Sequence, residues 1–350
     1  MSVVIAIFTS IYCADILKMM RTPENIFEGA YAYLLVTFIG IPCTFFYNLL
    51  SSIIRALGDS KTPFYFLVLA TVLNIILDLF CILVLGWGVM GAAIATVFSQ
   101  GVSAFLCYVY MYRKFDILRG TPKERKYQSK LAKTLLSIGV PMGLQFSITA
   151  IGTIIVQSAV NIYGPVHMAG FSAAGKIQNI FATVFTAFGA TIATYVGQNR
   201  GAGKMDRVKQ GVRYTQMMVL GWSVFVMFLM FFFGKYLTYL FVDPSEQDVV
   251  NVSVTYFRTV FWAYPFLGSI FLYRNTLQGM GYGLVPMLGG VFELVARTGI
   301  VVLIAGHTSF AGVCMADPTA WIAALIPLIP YYFHVMKRYK NKSQVQAVED

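Results

Sequence analysis

The stretch that decides the fold is Arg55-Ala-Leu-Gly-Asp-Ser-Lys-Thr-Pro63 with the apolar segment after it, residues 64–85, FYFLVLATVLNIILDLFCILVL. About 20 apolar residues are enough to cross a bilayer as a helix. Asn74 and Asp78 interrupt this segment four positions apart, so both side chains lie on one helix face. A carboxylate at that depth costs about 2.5 to 3.5 kcal/mol and usually faces a protein interior or a wet cavity. We therefore expect Asp78 to have a function.

The composition of the whole chain is that of an integral membrane protein. Of its 350 residues, 58% are hydrophobic and 12% are charged, whereas soluble domains have about 25% charged residues. The net charge of +11 does not indicate nucleic-acid binding, because the basic residues fall in loops between apolar segments. The cysteines include no CxxC pair, so we interpret them as buried apolar side chains and not as metal ligands or disulfides.

Apolar windows bounded by Gly, Pro or charged residues predict an all-α fold with ten membrane spans. The predicted spans are 3–18, 27–54, 64–85, 90–112, 132–160, 166–196, 212–241, 250–273, 284–305 and 318–336.

Basic residues give the expected orientation of these spans. Successive spans cross the membrane in opposite directions, so every second loop lies on the same side. One such set of loops, with the carboxy-terminal tail, contains 20 of the 26 Lys and Arg residues, and this side is therefore cytoplasmic. The acidic loop 243–248 lies on the opposite side. We expect a multi-pass protein of the cell membrane, which is the inner membrane in a bacterium. Its predicted parts are an amino-terminal lobe (1–113), a cytoplasmic linker (114–131), a carboxy-terminal lobe (132–337) and a cytoplasmic tail (338–350).

An internal repeat supports the division into two lobes. Four residue types recur 223 positions apart: Tyr33 as Tyr256, Pro42 as Pro265, Gly58 as Gly281 and Pro63 as Pro286. Both turns marked by these glycines lie on the cytoplasmic side, so the repeats are parallel. Within the second lobe three predicted spans precede the turn at 243–244, but within the first lobe only one precedes the corresponding turn at 22–23. We therefore expect that two amino-terminal spans are absent and that the intact protein has twelve.

Three loops of the chain resemble those of the multidrug and toxic compound extrusion (MATE) transporters. The stretch 55–63 is similar to the turn after that family's fourth span. Gly197-Gln-Asn-Arg-Gly-Ala202 is similar to the turn after its eighth span, and Gln278-Gly-Met-Gly281 to the turn after its tenth. The resemblance implies two helical lobes and export of amphipathic, mainly cationic organic compounds by antiport against Na⁺ or H⁺. It implies no cofactor and a monomer in the lipid bilayer.

The resemblance also implies a site for the coupling cation. In the DinF-like branch an Asn and an Asp one turn apart on the fifth span and a Thr on the sixth bind this cation, and Asn74, Asp78 and Thr96 match them. A further Asp of that cluster belongs to the first span, which this chain lacks. The NorM-like branch has a carboxylate on its seventh span, and residues 139–149 contain none. The alternative interpretation of Asn74, Asp78 and Thr96 is a polar cluster that holds helices together.

Other polar residues have two interpretations each. Glu293 and Arg297 are one turn apart, and we favour a structural ion pair over a second coupling site. The polar stripe formed by Gln145, Thr149, Thr153, Gln157 and Asn161 lines a cavity or joins helices, with neither favoured. We interpret the three histidines, His167, His307 and His334, as interfacial. The candidate substrate-cavity residues are Met142, Gln145, Phe146, Thr149, Lys176, Phe181 and Tyr264.

The sequence contains no enzyme motif. Gly203-Lys204-Met205 lacks the first Gly and the final Ser/Thr of a phosphate loop, and neither HExxH nor GxSxG occurs. We therefore expect a secondary transporter of small organic compounds and not an enzyme. The alternatives are a lipid-linked saccharide flippase of the same superfamily and a non-transporting, truncated membrane subunit.

Overall fold

The chain is all-helical throughout its described part. A computed structural model describes residues 2–19, 22–118, 127–304 and 309–349, and these ranges contain no strand. Contacts divide the chain into two compact units, Met1–Tyr127 and Gln128–Asp350. Of the sequence predictions, part of the linker (119–126) and His307 lie outside the described residues.

The described residues of the first unit form six α-helices. A π-helical turn, Phe80–Val84, follows α5, and a short 3₁₀ turn, Asp116–Leu118, follows α6. The helices are α1 (Ser2–Ile11), α2 (Cys13–Met19), α3 (Glu24–Ile39), α4 (Ile41–Ala56), α5 (Lys61–Leu79) and α6 (Gly88–Lys114).

Helix α6 organises the first unit, because α3, α4 and α5 all pack against it. A small buried cluster of Tyr47, Leu50, Ile54, Ala104 and Cys107 joins α4 to α6. By contrast, much of the apolar surface of α5 is exposed. A helix that is apolar on all sides and exposed in the protein alone is typical of a surface that faces lipid.

The second unit has a larger core. Its fully buried side chains include Phe185, Tyr256, Tyr264 and Trp321, which come from four different helices. The helices are α7 (Ser129–Asn161), α8 (Pro165–Gly201), α9 (Met205–Thr238), α10 (Gln247–Val260), α11 (Tyr264–Gly279), α12 (Leu284–Ile304), α13 (Phe310–Cys314) and α14 (Ala316–Glu349).

The helices confirm that the chain is a membrane protein. Fewer of them qualify as membrane spans than the ten that the sequence predicts. In the described residues, seven helices are long and apolar enough to cross a membrane, or nine if each of two bent helix pairs is one span. The predicted span 27–54 is such a pair, since α3 and α4 meet at a 40° bend. The predicted span 250–273 is divided between α10, with 14 residues, and α11, with 16, by the turn Phe261–Ala263.

The spacing of 223 positions seen in the sequence also occurs in the helix bounds. Helices α4 and α11 begin and end 223 positions apart, at Ile41–Ala56 and Tyr264–Gly279. Helices α3 and α10 begin 223 positions apart, and so do α5 and α12. Gly58 and Gly281, which follow α4 and α11, both have positive φ, 97° and 81°. Equivalent positions in the two units can therefore be compared residue by residue.

Candidate functional site

Helix α5, which contains Asp78, is anchored at its first turn by Asp59. The Asp59 carboxylate accepts hydrogen bonds from the Thr62 N–H (3.1 Å) and the Thr62 hydroxyl (2.9 Å). It also accepts one from the Tyr110 hydroxyl and forms an ion pair with Lys114 at 3.2 Å. These hydrogen bonds, that of Tyr110 above all, hold the pKa of Asp59 well below its usual range. The end of α6 is thus tied to the start of α5.

Further hydrogen bonds fix the register of these two antiparallel helices. The Ser103 hydroxyl on α6 donates to the Phe66 carbonyl on α5 at 3.2 Å. Deeper in the pair, Asn74 Nδ2 donates to Thr96 Oγ1 at 3.3 Å. Asn74 and Thr96, which the sequence groups with Asp78, are therefore in contact across α5 and α6.

Asp78 lies one helical turn beyond Asn74 on α5, directly before the π-helical turn. Its Oδ1 atom is buried and has no hydrogen-bond partner. An unpartnered carboxylate oxygen in an apolar surrounding is costly and is found mainly at functional sites.

Sequence analysis missed one further polar group in this region, Gln100. Its Oε1 atom is also buried without a hydrogen-bond partner. Gln100 follows Thr96 by one turn on α6. Because α5 and α6 are antiparallel, Gln100 lies on the other side of the Asn74–Thr96 contact from Asp78. Asp78, Asn74 and Thr96 themselves present carboxylate, amide and hydroxyl oxygens, the donor set that suits a hard cation.

The site has a single carboxylate and is not a cluster of acidic ligands. In the described ranges, no group of three or more His, Cys, Asp or Glu side chains is placed to hold a metal ion. Since Asn74 Nδ2 is engaged by Thr96, the Asn74 carbonyl oxygen is left to accept a ligand. One carboxylate with neutral oxygens can take up a monovalent cation or a proton without a large excess of charge.

The second unit contains a buried charged network, defined as Arg274, Glu293, Arg297 and Asp317. Arg274 Nη2 contacts Glu293 Oε1 at 2.8 Å, and Arg297 Nη1 lies 3.6 Å from Glu293 Oε2. Arg297 Nη2 also lies 3.3 Å from Asp317 Oδ1. The Tyr256 hydroxyl donates to Asp317 Oδ2 at 2.8 Å. Glu293 and Arg297 do face each other as the sequence predicts, but Arg274 and Asp317 come from other helices and were not foreseen.

The candidate cavity residues do not gather at one place in the second unit. Gln145, Phe181 and Tyr264 are buried, and Gln145 Oε1 accepts a hydrogen bond from Gln278 at 3.2 Å. Thr149 donates to Glu293 Oε2 at 3.4 Å and so belongs beside the charged network. Met142 is half-buried, Lys176 is exposed, and Phe146 is 63% exposed.

The polar stripe on α7 and the histidines make local contacts. Gln157 donates to Asn161 at 3.1 Å, and Thr153 donates to the Thr149 carbonyl at 3.0 Å, so these groups bond within their own helix. His167 lies against Tyr163 and Phe310, while His334 stacks on Tyr331.

Comparisons with known proteins agree on one family. The MatE family matches residues 1–80 and 141–325. The chain is 33% identical over 266 residues to the probable multidrug resistance protein YpnP of Bacillus subtilis (strain 168), covering 76% of this chain and 59% of that protein. It is 27% identical over 360 residues to the probable multidrug resistance protein YoeA of the same strain, covering 99% and 76% respectively.

A solved structure agrees with the fold. The outward-facing conformation of a multidrug resistance MATE family transporter of the MOP superfamily matches with a TM-score of 0.89 at 22% identity, over 97% of this chain and 76% of that one. The chain thus spans between about three fifths and three quarters of the length of the proteins it matches.

Proposed function

This chain belongs to the MatE family of membrane transporters, and from that premise we propose that it is a secondary antiporter that exports amphipathic, cationic organic compounds. Inward movement of Na⁺ or H⁺ through the first unit drives this export. The family consists of transporters and not of enzymes, and its relatives YpnP and YoeA are described as probable multidrug resistance proteins. Membership of the family is shown, whereas antiport by this chain, the exported compounds and the coupled ion are proposed.

The observation that carries the proposal is the unpartnered Oδ1 atom of Asp78 inside an apolar helix. A polar group that only held helices together would be expected to have its partner in the folded protein. Asn74 and Thr96 meet this expectation, because they bond to each other. Asp78 does not, and a cation or proton at Oδ1 would supply the missing interaction.

Coupling requires that the cation and the exported compound favour different conformations of the protein. A cation bound at Asp78, with the Asn74 carbonyl and Thr96 hydroxyl oxygens as further ligands, stabilises one conformation. The exported compound stabilises the other. Each ligand shifts the equilibrium only by its difference in affinity for the two states. Neutralising Asp78 removes this difference for the cation.

The placement of the site favours the DinF-like arrangement within the family. Residues 139–149 on α7 contain no carboxylate, whereas α5 contains Asp78. With this arrangement we propose the topology that the sequence predicts: ten spans in two lobes, 1–113 and 132–337, and a monomer. The linker 114–131 and the tail 338–350 lie in the cytoplasm.

The deciding experiment is Asp78→Asn in reconstituted vesicles. We expect normal membrane insertion and loss of ion-driven efflux of a fluorescent organic cation, because the neutral amide no longer attracts a cation and does not take up a proton. Imposing a Na⁺ gradient or a pH gradient separately identifies the driving ion. Asp206→Asn, which changes an exposed carboxylate at the start of α9, is the matched control and should leave efflux unchanged. Unchanged efflux by Asp78→Asn would remove Asp78 from the mechanism.

A further inference from the structure

The helix register gives one residue of the candidate cation site, Asn74, a counterpart in the charged network of the second unit, whereas Asp78 corresponds to Val301. Since α5 and α12 begin 223 positions apart, position 74 corresponds to position 297. Asn74 therefore has Arg297 as its counterpart, and Thr96 at the same spacing has Thr319. One repeat thus has an amide where the other has a guanidinium.

Arg297 is surrounded by charges from several helices. Glu293 lies on its own helix at 3.6 Å, and Asp317 on α14 at 3.3 Å. From α11, Arg274 contacts Glu293, and from α10 the Tyr256 hydroxyl donates to Asp317. With two guanidinium groups and two carboxylates the network is neutral.

The remaining contacts of this region are neutral or unpartnered. From α7 the network meets the Thr149 hydroxyl and Gly152, where a Cβ would lie 3.3 Å from Arg297 Nη1. The Tyr264 hydroxyl on α11 is buried without a hydrogen-bond partner, as is Arg297 Nη1 itself.

We propose that the Arg297 guanidinium is a tethered cation: it holds in the second unit the place that the coupling cation takes in the first. Only the first unit then exchanges an ion during transport. This inference deepens the proposed function and rests on it for the role of Asp78.

The chemistry of the two side chains explains the difference between the units. A guanidinium stays protonated at every physiological pH and is covalently held, so it neutralises the second unit permanently. Arg297 is only 6% exposed, which keeps competing ions from the carboxylates it contacts. In the first unit the corresponding side chain, Asn74, has no charge, and Asp78 Oδ1 has no partner. A mobile cation is required there and not in the second unit.

Removing the guanidinium should turn the second unit into an ion-binding unit. Without Arg297, the network retains Arg274, Glu293 and Asp317, with one net negative charge. An unpaired buried charge is strongly destabilising. The second unit would therefore take up one cation from solution, as we propose for Asp78.

The test measures equilibrium binding of radioactive Na⁺ and proton uptake by the purified 350-residue chain in lipid nanodiscs. Arg297→Asn introduces the side chain found at position 74. Arg297→Lys keeps the charge, and Arg297→Asn with Asp317→Asn restores neutrality. Each is made with and without Asp78→Asn.

We expect one ion for the wild type, none for Asp78→Asn, and one additional ion for Arg297→Asn, also when Asp78 is replaced. Arg297→Lys and the charge-balanced double variant should bind no additional ion. If Arg297→Asn folds only when Na⁺ is present or the pH is low, the stability of this variant depends on the bound ion. That dependence supports the inference in the same way as an additional bound ion.

Two outcomes would overturn the inference. One is a folded Arg297→Asn protein that binds no more Na⁺ or H⁺ than the wild type. The other is an Arg297→Asn protein that does not fold at any Na⁺ concentration over about pH 5 to 8, while the charge-balanced double variant does fold. If Asp78→Asn does not reduce ion binding, this result contradicts the proposed function and not the inference. The two are distinguishable because the additional ion of Arg297→Asn is also measured in the protein that carries Asp78→Asn.

Discussion

At the level of single residues, the candidate site in the first unit depends on unequal hydrogen bonding among Asn74, Asp78 and Thr96. Asn74 and Thr96 bond to each other, whereas Asp78 Oδ1 is buried without a partner. Leaving a buried polar atom unpartnered costs about 1 to 3 kcal/mol, and more for a charged group. An unsatisfied group of this kind is retained where a ligand completes it.

Thr96 tests whether neutral oxygens contribute to ion binding. Thr96→Val keeps the volume but removes the hydroxyl that accepts from Asn74 Nδ2. We expect the ion concentration for half-maximal efflux to rise about tenfold, which corresponds to about 1.4 kcal/mol. Thr71→Val on α5 is the control, because the Thr71 hydroxyl only donates to the Leu67 carbonyl of its own helix at 2.9 Å. An unchanged half-maximal concentration would exclude Thr96 as a ligand.

Asp59 links the stability of the first unit to pH. Asp59→Ala removes the acceptor for the Thr62 N–H, a loss that costs about 1 kcal/mol at a helix start. Since the pKa of Asp59 is lower in the folded state, its contribution is fully present above the unfolded value of about 3.9 and is lost as the pH falls below it. We expect the difference in thermal stability between wild type and Asp59→Ala to be constant near neutral pH and to shrink in acid.

The control for this experiment is Glu246→Ala, since Glu246 is exposed and its side chain caps no helix N–H. That substitution should change thermal stability little at any pH. A difference for Asp59→Ala that persists unchanged in strong acid would show that its hydrogen bonds do not depend on ionisation.

At the level of helices, the first unit depends on close packing around α6. Gly40 separates α3 from α4, and Val97 of α6 packs directly against it. The π-helical turn Phe80–Val84 ends α5 just after Asp78. Such turns are frequent at functional sites.

Gly40→Ala tests the packing of α6 against the bend. The added Cβ would lie 2.2 Å from Val97 Cγ2, and forcing extra atoms into a packed contact costs about 1 to 3 kcal/mol. This exceeds the gain of about 1 kcal/mol in helix propensity. We expect a lower thermal unfolding temperature for Gly40→Ala and recovery when Val97→Ala is added, because the two residues are in contact. Without recovery in the double variant, this contact would not be the cause.

At the level of the whole molecule, one helical plan is used twice with different charges. The helix bounds repeat at 223 positions, yet the first unit has a buried, unpartnered carboxylate oxygen at Asp78 and the second has a neutral network of four charged groups. Each helix interior is therefore adapted to its own task, while the turns that follow α4 and α11 keep the same glycine conformation.

The orientation in the membrane can be tested by labelling introduced cysteines. The excess of Lys and Arg in the loops on one side of the membrane predicts that this side is cytoplasmic. Ser129, at the start of α7, is then cytoplasmic and Ser245 is external. We expect a membrane-impermeant maleimide to label Ser245→Cys in intact cells and Ser129→Cys only after permeabilisation. Both positions are exposed, whereas none of the five native cysteines is, so the unmodified protein is the control. The reverse labelling pattern would invert the topology.

Much of the fold and part of the candidate site followed from the sequence. Long apolar runs predict membrane helices because every backbone polar group must be bonded within the helix in lipid. The positions of Asn74, Asp78 and Thr96 followed from helical spacing and from the resemblance to a family. Hydropathy alone does not locate the bend at Gly40, since the apolar stretch continues through it, although Gly40 and Pro42 are local signals of a helix break.

Hydropathy, helical spacing and repeats are properties of positions along one chain, so the membrane helices, their duplication and the place of Asp78 within an apolar segment follow from the sequence. The contacts of Arg274 and Asp317 with Glu293 and Arg297, and the lack of a partner for Asp78 Oδ1, are visible only in the packed helices. Those contacts depend on how separate helices pack, and in a low dielectric the distance between charges decides whether they neutralise each other.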